Sequence, residues 1–472
     1  NITENIYTCY DFRAGKPSQL KKNSRDDKGT YFYCLWAAHS LYSSRDTANY
    51  GKLKNAMKSD GTAYGNHKIS IFDPQTRKYV LDAAAFSAKS VLERDTDNIT
   101  LWGIDNEYEL PPDYSPEALA AFRKDLEQVY DGDLDRLNRA WGSSYRSFAE
   151  AVPPAVSECR ERPGAWLDWR RFQDRAYAEF IADYFKAIRD ADPKKRPVIS
   201  KSTQCTIEMQ ACVRNRALDH EVLADLVRDS GQGWYGIDQY GHGDRSAYEL
   251  NYLYNCILPD DPEDDEYRYG LFSAETNNHA GPGWQFAQTF WRLMANGFKG
   301  ADFFVMGSFM ASRDYATFSM TYPDGTRRDR FFYLSRLASM VHRAEAFMAQ
   351  SRPVPGLPRV AMLMPKREVL LAADTGVSWW DYSNNNRLNV FRRLRDMGYW
   401  VDVIPYGKLN PESMKRYQAL LLVDAEHLSA EECGQIADYV KRGGVLLADM
   451  QSGHYNEHHE VTEGLADVLG VK

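Results

Sequence analysis

Cysteine is scarce in this chain of 472 residues. Its seven cysteines lie at positions 9, 34, 159, 205, 212, 256 and 433, and no two of them form a Cys-x-x-Cys pair. An odd number of widely spaced cysteines is typical of neither a disulfide framework nor a structural zinc site. We therefore predict no metal and no cofactor.

Long apolar runs and an excess of positive charge are also lacking. No stretch approaches the roughly 18 consecutive apolar residues of a transmembrane helix, so we expect no membrane partner. The 58 Lys+Arg and 66 Asp+Glu residues give a net charge of −8, which offers no electrostatic footprint for a nucleic acid. The chain starts at Asn1 without a signal-like apolar region, so its compartment stays open between the cytoplasm, the periplasm and the exterior.

Aromatic residues are abundant, at 13% of the chain with 11 Trp and 30 Tyr. Such an excess indicates either a large core or a set of flat platforms for ligands, and composition does not separate the two. The length is enough for two or three domains.

Apolar strand-like runs alternate with amphipathic helical patterns, which predicts a parallel α/β protein. We predict a (β/α)8 TIM barrel over residues 1–350, a linker over 351–358 with three prolines, and a doubly wound α/β domain over 359–472. Only two strand patterns, Ile6–Asp11 and Tyr31–Trp36, precede the strand at Ile99–Asp105, where a complete barrel has three. We therefore expect the first strand and helix of the barrel to be absent from this sequence.

Two of the predicted strands end in carboxylates. In the run LWGIDNEYE, residues 101–109, the apolar part is followed by Asn106 and Glu107, and the run LFSAE ends in Glu275. In a (β/α) barrel the active site lies at the carboxyl ends of the strands. Two carboxyl groups about 5 Å apart there are what retaining glycoside hydrolysis requires, with one as the nucleophile and the other as the acid/base.

Seven motifs stand out along the chain: Tyr64-Gly65-Asn66-His67, Trp102–Tyr108, Leu137–Phe148, Trp169-Arg170-Arg171-Phe172-Gln173, Ile237-Asp238-Gln239-Tyr240, Ala274-Glu275-Thr276 and Gly464–Val471. In kind and in order they resemble motifs of glycoside hydrolase family 42, the β-galactosidases. The chain resembles this family over nearly its whole length. The resemblance implies a retaining barrel enzyme whose last domain, of the class I glutamine amidotransferase fold, assembles a homotrimer.

The resemblance also implies roles for individual residues. Glu107 would be the general acid/base and Glu275 the nucleophile. Asn106 would hydrogen-bond the sugar hydroxyl next to the reacting carbon, and Tyr240 would donate to the nucleophile. Trp284 would stack under the sugar, because an aromatic face packs well on the C–H side of a pyranose.

Other positions depart from the family pattern. His67 stands where the family has an Arg that holds the sugar, and Asp314 and Thr317 fall where a Glu and a His bind galactose. Trp36 ends an early strand, where it would line the sugar pocket or belong to the core. These departures concern residues expected to bind the sugar and decide which sugar is accepted, whereas the two carboxylates expected to react, Glu107 and Glu275, are present.

The leading hypothesis is a β-galactosidase that removes terminal β-D-galactose by double displacement and assembles as a homotrimer through residues 359–472. A second hypothesis keeps the chemistry and changes the substrate to a β-mannoside, a β-fucoside, an α-L-arabinoside or an oligosaccharide of a marine galactan. A third is a non-catalytic sugar-binding barrel, which the presence of both Glu107 and Glu275 disfavours.

Two further clusters have simpler interpretations. The acidic run Pro259–Glu266 is expected to form a solvated loop. His454, His458 and His459 lack a carboxylate framework, so we do not expect them to bind a metal. Cys433 falls within a helical pattern and not at a strand-to-helix elbow, so the last domain lacks the nucleophile of an amidotransferase and assembly is its expected role.

Overall fold

The computed structural model describes residues 4–11, 16–18, 31–35, 53–65, 68–93, 99–104, 111–200, 219–232, 234–239, 243–261, 270–276, 282–304, 318–350, 359–372 and 386–471. The predicted linker, residues 351–358, lies outside these ranges. Among the described helices, none combines the length and the apolar character needed to cross a membrane.

The first part of the chain is built on parallel strands that follow one another in chain order. The described strands of this part are β1 (Glu4–Asp11), β2 (Lys16–Ser18), β3 (Tyr31–Leu35), β4 (Ile99–Ile104), β5 (Val198–Ser200), β6 (Trp234–Gln239), β7 (Gly270–Thr276) and β8 (Phe298–Phe303), and all but β2 are parallel to their neighbours. The short β2 is antiparallel to β1; the sheets run β2-β1-β3-β4-β5 and β6-β7-β8, and β5 lies against β6.

Helices separate these strands along the chain. They are α1 (Pro74–Leu92), α2 (Pro116–Val129), α3 (Leu134–Trp141), α4 (Pro163–Ala191), α5 (His220–Asp229), α6 (Gly243–Ile257), α7 (Gly283–Ala295) and α8 (Asp329–Gln350). Outward-facing side chains such as Trp102, Tyr235 and Leu271 share one apolar core with α1, α4, α5 and α6. A smaller cluster that includes Leu101 and Phe272 fills the inside of the strands. This is the (β/α) barrel that the sequence predicts.

Apolar spacing located most elements but missed some of their ends. The pattern predicts a helix over Val80–Arg94, whereas α1 begins at Pro74. The reason is local, since the Asp73 side chain accepts from the backbone N–H of Thr76 at 2.8 Å, and proline is well suited to the first helical position. The apolar run ADFFVM predicts a strand at Ala301–Met306, whereas β8 begins three residues earlier, at Phe298.

A second sheet occupies the last part of the chain. Its strands are β9 (Arg359–Leu363), β10 (Trp400–Ile404), β11 (Ala419–Leu422) and β12 (Val445–Ala448), all parallel in the order β10-β9-β11-β12. The helices with it are α9 (Lys366–Leu371), α10 (Asn386–Asp396), α11 (Pro411–Met414), α12 (Ala430–Lys441) and α13 (Ala466–Leu469). Both faces of the sheet are covered, which confirms the doubly wound arrangement.

One face of this sheet shares its apolar core with the barrel. Met362 and Val403 belong to the same cluster as barrel residues of α6, and the rings of Tyr248 and Phe391 meet edge to face with centroids 5.4 Å apart. The other face packs against α12, in which Cys433 is the fourth of twelve residues and thus lies within a helix as expected. The two sheets are therefore joined by a continuous hydrophobic core.

Polar contacts add to this junction. The Lys366 ammonium lies 2.6 Å from Asp219 Oδ2 at the start of α5, and both side chains are largely buried. Lys408 donates to the Leu258 carbonyl at 2.7 Å and to Asp260 Oδ1 at 2.5 Å. Asp260, in the run Pro259–Glu266 that is predicted to be a solvated loop, is half exposed and pairs with this buried lysine, and residues 262–266 lie outside the described ranges.

The most deeply buried ionic contact of the junction joins α4 to the end of the chain. Asp168 Oδ1 lies 3.1 Å from His458 Nδ1, and Asp168 Oδ2 accepts from the Tyr130 hydroxyl at 2.6 Å and from Trp141 Nε1 at 2.8 Å. Burial alone would lower the pKa of His458, but its hydrogen bond to Asp168 and the charge of that carboxylate outweigh burial and raise it. His458 therefore has a structural partner in the barrel.

We predict that this pair stabilises the protein in a pH-dependent way. Because the folded protein binds the His458 proton more tightly than the unfolded chain, the stabilisation is complete below the ordinary histidine pKa of about 6.5 and is lost as the pH rises through the raised value. His458→Gln should lower the free energy of unfolding by about 3 kcal/mol near pH ~6, since it leaves the buried Asp168 carboxylate with only the more distant Arg171, at 4.0 Å, as a cation beside it. Denaturant unfolding at several pH values measures this.

The matched control is His454→Gln, because His454 is exposed and its ring lies edge to face against that of Tyr455, with centroids 4.6 Å apart. It should change stability by less than about 0.5 kcal/mol at every pH. A loss in His458→Gln that is the same near pH ~6 and near pH ~8.5 would show that the ion pair does not provide the stabilisation.

Candidate active site

The inner surface of the barrel can be traced from the alternation of side chains along β6. Tyr235 and Ile237 point outward into the core shared with the helices, and Gln239 Nε2 donates to Ser246 Oγ of α6 at 3.0 Å. Trp234 points inward, where its ring stacks with that of Phe272. Because successive side chains of a strand alternate, Asp238 points inward at the carboxyl end of β6.

Glu275 lies at the carboxyl end of the neighbouring strand, β7, and only 6% of it is exposed. The register between β6 and β7 shifts here, because Ile237 faces Ser273 while Asp238 faces Glu275, which leaves Ala274 as an extra residue. The Ser273 hydroxyl donates to the Glu275 carbonyl oxygen at 2.9 Å across this bulge. A bulge interrupts the alternation and redirects a side chain, so Glu275 and Asp238 become lateral neighbours.

The next strand adds another buried acid. In β8, Phe303 packs outward against Phe286 and Phe290 of α7, so Asp302 faces inward beside the Glu275 bulge. Three consecutive strands thus end with the buried carboxyls of Asp238, Glu275 and Asp302. The sequence analysis assigned a role only to Glu275, although the strand-terminal positions of the two aspartates were the signal that could have found them.

The structure brings Glu275 and Trp284 to the same end of the barrel. Trp284 is the second residue of α7, which follows β7, and it is 52% exposed. A helix that follows a barrel strand begins at the carboxyl end of that strand, so Trp284 lies at the rim above Glu275. The remaining predicted site residues lie outside the described ranges: Trp36, His67, Asn106, Glu107, Tyr240, Asp314 and Thr317.

The strand before Glu107 is nevertheless well defined. In β4, Trp102 and Ile104 face the helices and Leu101 faces the inside of the barrel, next to Ile199 and Phe272. Trp102 is fixed further by its indole N–H, which donates to Asp192 Oδ2 at 3.0 Å at the amino end of the barrel. The chain therefore leaves β4 at the carboxyl edge, the same edge at which β7 delivers Glu275.

The described residues offer no arrangement suited to a metal ion. No group of three or more His, Cys, Asp or Glu side chains in this part of the chain is placed to hold one. Cys159 is buried, and its thiol contacts the Leu371 carbonyl oxygen at 3.4 Å. His427 and His459 hydrogen-bond each other through their rings, with Glu368 on the far nitrogen of His427.

We predict that β6 does not tolerate a larger side chain at Gly236, two residues before Asp238 on the same face of the strand. A Cβ atom on Gly236 would lie 2.5 Å from Ile199 Cβ and 2.9 Å from the Ser200 carbonyl oxygen. Gly236→Ala should therefore lower the free energy of unfolding by about 1–3 kcal/mol, as overpacking does. Denaturant unfolding measures the loss.

Gly434→Ala is the matched control, because Gly434 lies inside α12 with nothing within 4 Å of an added Cβ. It should raise stability by up to about 1 kcal/mol, since alanine loses less conformational entropy in a helix than glycine. Equal effects of the two substitutions would contradict the described approach of β6 to β5.

Comparison with known proteins shows which family shares these features. The family model for glycoside hydrolase family 42, described as β-galactosidase, matches residues 57–222. A β-galactosidase of Arthrobacter sp. is 30% identical over 173 residues, which cover 35% of this chain and 24% of the relative. The β-galactosidase BgaH of Haloferax lucentense is 22% identical over 462 residues, which cover 87% of this chain and 61% of the relative.

The fold is shared with solved structures. The crystal structure of the β-galactosidase from Rahnella sp. R3 superposes with a TM-score of 0.74 at 17% identity, covering 93% of this chain and 64% of that one. The chain thus spans less than two thirds of the length of each of these relatives. Residues 57–222 thus match the model of glycoside hydrolase family 42, and the chain shares its fold, with the barrel and the doubly wound domain, with the solved β-galactosidase.

Proposed function

We propose that this protein is a retaining β-glycosidase that removes terminal β-D-galactose from β-galactosides. The observation that carries the proposal is the buried carboxyl of Glu275, which a bulge directs into the barrel at the end of β7. The matched family model and the β-galactosidases among the relatives support galactose as the sugar.

In the proposed reaction Glu275 attacks the anomeric carbon while Glu107 protonates the oxygen of the leaving group. The glycosidic bond breaks, and a covalent bond forms between the sugar and Glu275. Glu107 then removes a proton from water, which attacks the same carbon and releases Glu275. Two inversions leave the product with the configuration of the substrate.

The neighbours of Glu275 favour this chemistry. The transition state of glycoside cleavage resembles an oxocarbenium ion and is positively charged at the reacting carbon. Asp238 and Asp302 lie on the strands on either side of Glu275 and face the same interior. In the ionised form, a carboxyl group fixed in a water-poor site stabilises such a developing charge more effectively than bulk water does.

We also propose that the protein acts as a homotrimer assembled through residues 359–472. Support comes from β12, which is the edge strand of its sheet and exposes Val445 and Leu447. Met450, just after this strand, is fully exposed as well. Apolar side chains on an open sheet edge are typical of a surface that another chain covers.

We predict that Glu275→Gln abolishes the hydrolysis of aryl β-galactosides, because the amide cannot form the covalent intermediate. The fall in kcat should be at least roughly 1,000-fold, while the circular dichroism spectrum and Tm stay close to those of the parent protein. Asp192→Asn is the matched control, since Asp192 is an equally buried acid at the opposite end of the barrel. Asp192→Asn should lower Tm but leave kcat within about threefold of the parent value. An active Glu275→Gln protein would contradict the assignment of Glu275 as the nucleophile.

The sugar preference can be measured by comparing kcat/KM over a panel of aryl glycosides. We expect the highest kcat/KM for β-galactoside, with β-fucoside, α-L-arabinoside and β-mannoside lower, and proton NMR should show the β anomer of the product first. A higher kcat/KM on another glycoside would transfer the proposal to that sugar and would point to His67, Asp314 and Thr317 as the cause. An α anomer as the first product would contradict the retaining mechanism.

A further inference from the structure

The helix that presents Trp284 has no cap of its own. Helix α7 begins at Gly283 after Pro282, whose side chain makes no hydrogen bond to the helix. The first backbone N–H groups of a helix have no partner inside it and need an acceptor from elsewhere. Here the acceptor is Asp329 Oδ2, which lies 2.9 Å from the Gly283 nitrogen. Asp329 is the first residue of α8, so the neighbouring helix supplies the missing cap.

The same carboxylate is itself held in place. Its other oxygen, Asp329 Oδ1, accepts from the backbone N–H of Arg330 at 2.6 Å. One side chain thus bridges the first turns of two helices, and its negative charge lies at the positive end of both helix dipoles. The start of α7 is in this way fixed relative to the start of α8.

Packing at Gly283 reinforces this bridge. A Cβ atom on Gly283 would lie 3.1 Å from the Arg330 nitrogen and closer still to the ring of Tyr333. Real Cβ atoms do not approach other atoms so closely, so only glycine allows the first turn of α8 to lie against the first turn of α7. Tyr333 covers the backbone immediately before Trp284.

The Trp284 side chain is only partly packed against the described residues. Half of its surface is exposed, whereas Phe286, two residues later, is buried. Its placement at the rim of the barrel is therefore decided mainly by where the first turn of α7 lies. That position depends on contacts with α8, which follows a different strand.

We propose that Asp329 and Tyr333 are positioning residues that act through Gly283 to hold Trp284 as the platform on which the sugar stacks. The proposal rests on the proposed function for the role of Trp284. The new element is that affinity for the sugar depends on the contact between α7 and α8, the helices that follow the adjacent strands β7 and β8. Asp329 and Tyr333 need not touch the substrate for this effect.

The test compares Asp329→Ala with the milder Asp329→Asn, which keeps one of the two accepted hydrogen bonds. Asp329→Ala should raise KM for an aryl β-galactoside roughly tenfold and change kcat less than about threefold, with Asp329→Asn in between. In a Trp284→Ala background the same change should add less than about twofold to KM, because the platform is already gone. Hydrogen exchange at the Gly283 and Trp284 amides should be faster in Asp329→Ala by about tenfold or more.

Asp133→Ala is the matched control, because Asp133 caps α3 by accepting from Arg136 N at 2.9 Å, in another part of the barrel. It should leave KM and the exchange at Gly283 unchanged. Full additivity of Asp329→Ala and Trp284→Ala, or unchanged amide exchange in Asp329→Ala, would overturn the proposal. If the parent protein cleaves no glycoside, the proposed function and the sugar platform fail, while the exchange data still decide whether Asp329 holds α7.

Discussion

The interior of the barrel depends on one geometric constraint, which is that successive side chains of a strand point to opposite faces. In β6 this constraint sends Tyr235 and Ile237 into the helical core and leaves Trp234 and Asp238 inside the barrel. An unbroken alternation in β7 would send Glu275 toward the helices, because Phe272 and Ala274 already face inward. The bulge at Ala274 breaks the alternation at that one place and turns the acid to the interior.

Directing acids inward has an energetic cost that the rest of the fold must offset. Buried carboxyl groups on neighbouring strands repel one another when they are ionised and lose hydration when they are buried. The stabilising contributions come from elsewhere, chiefly the aromatic and aliphatic core between strands and helices. The second sheet extends that core, and the Asp168–His458 and Lys366–Asp219 pairs fix it to the barrel. A site that is costly to form is thus built on a scaffold whose two sheets share one core.

The sequence predicted the parts of this arrangement that depend on local patterns. The strands ending at Glu275 and before Glu107 are visible as short apolar runs. The run YGIDQY likewise predicts a strand over Tyr235–Tyr240, within one residue of β6 at both ends. The order of the motifs also indicated the resemblance to glycoside hydrolase family 42, whose model matches residues 57–222. Local patterning sufficed here because a buried parallel strand is apolar on both faces and ends abruptly where polar residues begin.

Other features were not predictable because they arise from contacts between distant residues. The Asp329 cap on Gly283 spans 46 residues, and the contact of Asp168 with His458 spans 290. The bulge at Ala274 exists only in relation to the partner strand, so a single strand pattern does not show it. The inward-facing Asp302 was hidden for a related reason, since the predicted strand was placed three residues too late.

The central claim is that Glu275 forms a covalent bond with the sugar. The most direct measurement is to incubate the protein with a 2-deoxy-2-fluoro-β-galactoside that carries a good leaving group, and then to locate the label by peptide mass spectrometry. The account predicts a fluorogalactosyl group on Glu275 of the peptide that contains Ala274-Glu275-Thr276, with activity lost in proportion to labelling. A label on any other residue, or steady turnover without a trapped intermediate, would contradict it.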